Sequence, residues 1–138
     1  MSDLFDKYQM NTFLEEVFPQ IIGKIEILSL TRERAVVRLN VSKADLRPGN
    51  TVSGPSMFLL ADVTFYIAVL NVVGKEALAV TTNCNINFLR KPDPTNIIAE
   101  SRILKRGSSL IVGDVTLKST RLDSPVAHAS FTYSLPRR

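Results

Sequence analysis

The sequence predicts an α+β domain in which an antiparallel β-sheet wraps around one long central α-helix. The first observation behind this prediction is an almost continuous apolar stretch at residues 51–73, which Gly74 ends. The second is the set of segments with strand character on either side of that stretch, most of which alternate apolar and polar residues. A sheet with one apolar face can bury such a helix on its concave side.

The first predicted element is helical. Between residues 3 and 18, apolar side chains recur at the spacing of one or two short amphipathic helices. Thr12 and Glu15 fit a capping box, so a second helix could restart at Thr12, and Pro19 ends the segment. We predict a single domain over residues 1–138, with residues 1–20 as its N-terminal helical segment.

Two strands and a loop follow this helical segment. Residues 22–30 and 33–41 have the composition of strands joined by a tight turn, and the second of them alternates clearly. Residues 42–50 are polar and contain Pro48 and Gly49, so they form a loop.

The apolar stretch at residues 51–73 is long enough to be compared with a membrane span. However, polar residues interrupt it at Ser53, Ser56, Asp62, Thr64 and Asn71. A central carboxylate is costly in lipid, whereas a helix that is apolar on most sides is typical of a buried core. We therefore predict a core helix and no membrane association.

Four more strands are predicted after the helix, at residues 77–90, 95–106, 109–119 and 126–135. Alternation divides the first of them into a core face with Thr82, Cys84, Ile86 and Phe88 and an outer face with Thr81, Asn83, Asn85 and Asn87. A sheet with open edges and a polar outer face favours pairing with another subunit.

Composition excludes several classes of function. The net charge is only +4 and there is no tryptophan, which argues against a nucleic-acid partner. Cys84 is the only cysteine and His128 the only histidine, so the chain has no internal disulfide and no multi-histidine or cysteine-rich metal site. No secretory signal is visible at the N-terminus, so we expect a cytoplasmic protein.

Two stretches carry a family resemblance: TVSGPSMFLLADVTFYIAV and TTNCNINFLRKPDPTNIIAESRILKRGSSLIVGDVTL. With the order of elements, they resemble hotdog-fold acyl-CoA thioesterases of the PaaI-like, phenylacetate-degradation branch, over about residues 20 to 135. The helix of that family begins with V-H-G-G and carries L-A-D, and a strand N-I-N-F-L-R-P follows. The matching residues are Val52, Gly54, Leu60-Ala61-Asp62 and Asn85 to Arg90.

The resemblance implies a role for each matching residue. Gly54 would offer its backbone N–H, at the positive end of the helix, to the thioester carbonyl oxygen. Asp62 would be the nucleophile or the general base that activates water. Thr81 would help to orient the water or the carboxylate. Ser53, which replaces the family's histidine, completes the catalytic candidates.

The resemblance also implies residues that bind the substrate or its coenzyme A portion: Asn50, Pro55, Arg90, Lys91, Lys105, Arg106, Gly107 and Ser108. Pro55 replaces the family's second glycine and removes one N–H donor from the place where an oxyanion would lie. No metal and no organic cofactor is implied, because a carboxylate, a water molecule and a helix N-terminus supply the chemistry.

Spacing along the helix adds an argument that does not depend on the resemblance. Gly54 and Asp62 are eight residues apart, which is about 12 Å along one helix. One thioester cannot contact both groups of the same chain. If both act together, they come from different subunits, so we expect a homodimer and, beyond it, a dimer of dimers.

The expected function is hydrolysis of a small, medium or aromatic acyl-CoA to the free acid and coenzyme A. The alternatives are an acyl-CoA-binding protein without turnover, a hotdog dehydratase or hydratase, and a purely structural assembly protein. At the level of single residues, Asp62 could instead be a structural hydrogen-bonding group between subunits, Gly54 a tight helix start, Thr81 a plain strand residue and the basic pairs solvated surface.

Overall fold

The computed structural model describes residues 5–32 and 34–136. Its two α-helices are α1 (Lys7–Val17) and α2 (Gly54–Val73), and short 3₁₀ turns lie at Pro19–Ile21 and Lys43–Asp45. The strands are β1 (Ile25–Leu30), β2 (Ala35–Leu39), β3 (Leu46–Arg47), β4 (Thr51–Val52), β5 (Val80–Phe88), β6 (Ile97–Arg106), β7 (Leu110–Ser119) and β8 (Pro125–Ser134).

Six strands form one antiparallel sheet in the order β1-β2-β6-β7-β8-β5. The predicted α+β class and its order of two strands, one long helix and four strands are therefore confirmed. The separate two-residue pair of β3 and β4 was not predicted, and it folds the loop before α2 back on itself. Strand β5 lies at one edge of the sheet, where β8 is its one neighbour among the described strands.

Helix α2 lies on the concave face of the sheet and packs against β2, β6, β7 and β8. By length and composition it could cross a membrane, but 72% of its most apolar window is buried inside the structure, which confirms a core helix. Phe65 of the helix stacks on Phe131 of β8 with ring centroids 5.3 Å apart. The Phe65 ring also lies close to Gly113 of β7, and it fits there because glycine has no Cβ. A Cβ at this position would lie 2.5 Å from the ring.

The N-terminal segment departs from the prediction. Helix α1 is one continuous helix, and its cap is Asp6, whose carboxylate accepts from the Gln9 N–H while the Gln9 side chain accepts from the Asp6 N–H. Thr12 lies inside the helix and donates its hydroxyl to the Tyr8 carbonyl oxygen. A restart at Thr12 was therefore wrong, because the helix keeps Met10, Phe13 and Leu14 together on one buried face.

Candidate active site

Asp62 is the eighth residue after Gly54, the first residue of α2, and its side chain is half-buried. Its Oδ1 accepts two hydrogen bonds, one from the Thr81 hydroxyl at 2.6 Å and one from the Tyr133 hydroxyl at 2.8 Å. Its Oδ2 has no hydrogen-bond partner within the described residues. One oxygen of the carboxylate is therefore held by the protein, and the other is available to a ligand or water.

Thr81 reaches Asp62 because β5 contains a bulge. The pairing register with β8 shifts between Thr81 and Asn83, so Thr82 is an extra residue without a partner in the register. The alternation of side chains between the two faces therefore changes phase at Thr82. Strict alternation had placed Thr81 on the outer face and Thr82 on the core face. That assignment was wrong: Thr81 points toward α2, and the exposed Thr82 donates its hydroxyl to the Thr132 carbonyl oxygen.

Tyr133 is a site residue that the sequence analysis missed. Alternate residues of β8 are buried and Tyr133 is one of them, and a tyrosine hydroxyl in a core needs a partner. That need was the available signal, but the partner is 71 residues away in the sequence. Burial raises the pKa of Tyr133, and the nearby negative charge of Asp62 raises it further, so the phenol stays protonated and donates.

The start of α2 is organised by Ser53. Its hydroxyl accepts from the Ser56 N–H at 3.3 Å, as a helix N-cap does, and its own N–H donates to the Asp45 carbonyl oxygen at 2.7 Å. Gly54 is the first helical residue, and its N–H has no acceptor in the described part of the chain. Pro55, which follows it on the exposed surface, has no N–H to offer.

Asp45 stabilises this helix start and was also missed. It is buried, and its Oδ1 accepts from Lys24 Nζ at 2.7 Å and from the Ser56 hydroxyl at 2.8 Å. Burial alone raises the pKa of this carboxyl, but hydrogen bonds from Lys24, Ser42 and Ser56, with the Lys24 charge, bring the pKa below its usual range. A charged Asp45 therefore links Lys24, the residue directly before β1, to the N-terminus of α2.

Gly54 opens into a surface cavity of about 540 Å³. Phe88, at the end of β5, forms one wall, and a Cβ on Gly54 would lie 3.3 Å from its ring. Three basic residues line the cavity: Arg47, Arg90 and Lys91. Arg90 also donates to the Pro125 carbonyl oxygen at 2.6 Å, which fixes its side chain near the start of β8.

Asp62 lines a different cavity, of about 400 Å³. Its walls include Thr81 and Tyr133 beside the carboxylate, and Val17 and Phe18 from the end of α1. Thr81 and Phe88 lie at opposite ends of β5, about 23 Å apart for seven strand residues. Within one chain, the structure does not bring Gly54 and Asp62 together.

The predicted coenzyme A contacts are also divided. Ser134 pairs with both Val80 and Leu110, so the turn between β6 and β7 lies at the Thr81 end of the sheet. Lys105, Arg106, Gly107 and Ser108 are therefore remote from Arg90 and Lys91 of the same chain. Gly107 is required by this turn, because a Cβ there would lie 2.7 Å from the Leu110 carbonyl oxygen. Asn50, with a φ of 60°, is exposed beside the Gly54 cavity.

The remaining chemically active side chains lie elsewhere. His128, on the outer face, contacts Asp114, which also accepts two hydrogen bonds from Arg102. Cys84 is half-buried in the middle of β5, and burial raises the pKa of its thiol, as does the charge of Asp62. Among the residues that the structure describes, no three acidic, histidine or cysteine side chains group as a metal site would require.

Solved structures share this fold over almost the whole chain. A thioesterase proposed for Silicibacter sp. TM1040 is 49% identical, with a TM-score of 0.91 over 99% of this chain and 96% of its own. The E. coli PaaI protein of the phenylacetic acid degradation operon is 22% identical, with a TM-score of 0.80 over 95% of this chain and 94% of its own. A Streptococcus mutans protein bound to acetyl CoA is 21% identical, with a TM-score of 0.73 over 85% and 92%.

A curated relative gives a shorter match. An esterase proposed for Saccharolobus solfataricus is 28% identical over 95 residues, which is 68% of this chain and 66%, just under two thirds, of the relative. Residues 49–124, more than half of the chain, match the thioesterase superfamily. The resemblance to hotdog-fold thioesterases is thereby confirmed, the PaaI protein shares the fold, and the chain belongs to the thioesterase superfamily.

Proposed function

We propose that the protein hydrolyses acyl-CoA thioesters at a site that two subunits share. The observation that carries the proposal is a pair of groups on α2 that have no hydrogen-bond partner among the described residues: the Gly54 N–H and the Asp62 Oδ2. A donor at a helix N-terminus suits a developing oxyanion, and a carboxylate oxygen suits a general base. These two groups are the minimum that water-dependent cleavage of a thioester requires.

In the proposed reaction, the thioester carbonyl oxygen accepts from the Gly54 N–H. Asp62 Oδ2 takes a proton from a water molecule, whose oxygen attacks the carbonyl carbon. The tetrahedral intermediate collapses with cleavage of the carbon–sulfur bond, and the proton held by Asp62 passes to the departing thiolate. One thioester and one water thus give one carboxylic acid and one thiol. Direct attack by Asp62, through a mixed anhydride that water then cleaves, is the variant of this mechanism.

The free edge of β5 is where we place the second subunit. Five residues at or near this strand expose large apolar side chains: Leu78, Val80, Phe88, Leu89 and, on α2, Phe58. Antiparallel pairing of two β5 strands about a two-fold axis near Cys84 would continue the sheet across both subunits. It would set Thr81 of one subunit beside Phe88 of the other, and so bring Asp62 toward Gly54 across the interface.

The same pairing would gather the basic residues. Arg90 and Lys91 belong to the Gly54 end, whereas Lys105 and Arg106 belong to the Asp62 end, and only a dimer would bring both pairs to one cavity. Their charges suit the phosphates of coenzyme A. A protein of the same fold binds acetyl CoA, which supports this choice of thiol. We expect no metal or organic cofactor, a cytoplasmic location and a dimer that can pair further into a tetramer.

The cavity beside Asp62 is proposed to hold the acyl group. Its volume of about 400 Å³ and the apolar side chains of Val17 and Phe18 suit a small, medium or aromatic acyl chain. The second candidate function is acyl-CoA binding without turnover. It is favoured by Ser53, whose hydroxyl is engaged as a helix cap, and by Pro55, which cannot donate.

A hydrolysis screen separates the two functions. The protein is incubated with acetyl, hexanoyl, phenylacetyl and palmitoyl thioesters of coenzyme A, and free thiol is measured. The same acyl groups on N-acetylcysteamine test the contribution of the nucleotide. We expect turnover of at least one coenzyme A ester and weaker use of its truncated form. Stabilisation by these esters with no thiol release would establish the binding protein instead.

A further inference from the structure

We propose that Tyr133 is a positioning residue that determines which oxygen of Asp62 acts on water. The inference rests on the proposed function and deepens it. Tyr133 lines the cavity proposed to hold the acyl group, but its hydroxyl contacts Asp62, and we infer that it acts through this carboxylate.

The contacts of the Tyr133 hydroxyl carry this inference. The oxygen lies 2.8 Å from Asp62 Oδ1 and 3.1 Å from the main-chain carbonyl oxygen of the same residue. The hydroxyl is thus held against both the side chain and the backbone of one helical residue. Together with the Thr81 hydroxyl, 2.6 Å away, it fills the hydrogen-bonding capacity of Oδ1 and leaves the basic electron pairs of Oδ2 free.

The two donors differ in how firmly they are held. Thr81 is half-exposed at the bulge of an edge strand. Tyr133 is 2% exposed, and its ring is packed among Phe65, Phe131 and Tyr66, with centroids 5.3, 6.3 and 6.4 Å away. A ring confined in this way keeps its hydroxyl in one place, so Tyr133 is the group that prevents the carboxylate from rotating.

The ionisable groups around the carboxylate come from three elements. Tyr66 lies one helical turn further along α2, Cys84 faces the helix from β5, and Tyr133 faces it from β8. All three are neutral at pH 7, since burial raises the pKa of each. A change in the pH dependence after substitution of Tyr133 therefore reports on Asp62 itself.

The experiment is Tyr133→Phe, which removes one oxygen and keeps the packed ring. We expect kcat to fall about tenfold with KM within about twofold, because the hydroxyl is engaged by Asp62 and the ring that lines the acyl cavity is kept. We also expect the acid limb of the pH profile of kcat to move to higher pH, since the charged carboxylate has lost a donor. The matched control is Tyr66→Phe, whose hydroxyl donates to the Ala77 carbonyl oxygen, and its acid limb should stay at the parent's pH.

A second measurement does not depend on activity. The carboxyl carbon of Asp62 is recorded by ¹³C NMR at pH 7 in the folded parent, in Tyr133→Phe and in Tyr66→Phe, with Asp62→Asn to assign the signal. We expect the signal to change position in Tyr133→Phe and to keep its position in Tyr66→Phe, because only the first variant removes a hydrogen bond to the carboxylate. A signal at the parent's position in Tyr133→Phe overturns the positioning role. A changed signal in a protein without thioesterase activity overturns the proposed function and leaves the contact between Tyr133 and Asp62 established.

Discussion

The start and the middle of helix α2 differ in their surroundings: the start is surrounded by polar side chains, whereas the middle is almost entirely apolar. At the start, three polar side chains, Ser53, Ser56 and Asp45, satisfy one another within the chain and leave one N–H, that of Gly54. In the middle, an apolar surface surrounds one carboxylate, and donors from β5 and β8 hold one of its oxygens. Among the described residues, each region leaves a single polar atom without a partner, and the proposed function assigns both atoms to one thioester held between two subunits.

Asp62→Asn gives the largest expected effect and tests the middle of the helix. The amide oxygen can still accept from Thr81 and Tyr133, but the general base is lost, so kcat should fall by about a thousandfold or more. Thiol release under saturating substrate measures it. The matched control is Asp114→Asn, which neutralises a carboxylate on the outer face and should keep more than a tenth of the parent's activity. Retention of full activity in Asp62→Asn would remove this residue from the mechanism.

Gly54→Pro tests the start of the helix. A proline is tolerated at a first helical position, and the extended Ser53, with ψ of 154°, suits a following proline. The substitution removes the N–H, so we expect kcat to fall about a hundredfold. Gly54→Ala is the control, since it adds a Cβ near Phe88 but keeps the N–H, and it should be at least tenfold more active than the proline variant.

Combining the two variants tests whether the helix regions complete each other. Subunits with Gly54→Pro and subunits with Asp62→Asn are co-expressed with different tags, and the heterodimer is isolated by both. One of its two sites would contain an intact Gly54 and an intact Asp62, so it should recover about half of the parent's activity. A heterodimer as inactive as the Gly54→Pro and Asp62→Asn homodimers would place the whole site within one chain.

Asp45→Asn should affect stability more than chemistry. It breaks a partly buried ion pair with Lys24, and its amide nitrogen cannot accept the hydrogen bonds that Oδ2 receives from Ser42, so we expect the free energy of unfolding to fall by about 2 kcal/mol in urea. Glu26→Gln, in an exposed pair with Arg38, should cost about 0.5 kcal/mol or less. An equal loss in both variants would contradict the proposed link between Lys24 and α2.

The pH dependence of stability follows from the same carboxyl. Because the pKa of Asp45 is lowered on folding, its stabilisation is complete above the pKa of an unfolded aspartate, about 3.9. It is lost as the pH falls further, through the lower pKa of the folded protein. Asp45→Asn should therefore lose less stability than the parent on acidification over this range.

Ser53→Ala should have the smallest effect. It removes the cap of α2, so the free energy of unfolding should fall by about 1 kcal/mol, while kcat stays within about tenfold of the parent. Ser130→Ala, on an exposed position of β8, is the control for the loss of a hydroxyl. A loss of kcat as large as that of Gly54→Pro would give Ser53 a chemical role in place of the family's histidine.

Most of the fold could be predicted because its alternation is strong. The burial of Ile111, Val115 and Leu117 on β7, and of Phe131 on β8, follows the pattern of the sequence. The cap of α1 could not be chosen from spacing alone, since the residues at 6 and 9 and those at 12 and 15 fit a box equally well. Packing of the helix against β1 decided between them.

The site could be predicted only where its residues are close in the sequence. Gly54 and Asp62 lie on one helix, so their separation follows from helical geometry. Thr81 was named from the resemblance, but its orientation depends on a bulge that alternation cannot show. Tyr133 and Asp45 are brought to α2 by contacts between distant segments, and nothing in their own neighbourhoods indicates those contacts.

The bulge at Thr82 has a consequence for how this sequence can change. Because of this extra residue, Thr81 and Cys84 both face α2 although they are three residues apart, so strict alternation cannot assign both correctly. Deletion of Thr82 would leave a regular strand in which Thr81, Asn83 and Cys84 keep their partners on β8, so the Thr81 hydroxyl would still face α2. The chemistry of the domain could therefore survive a one-residue deletion at this point, although strict alternation of the present sequence assigns Thr81 to the wrong face.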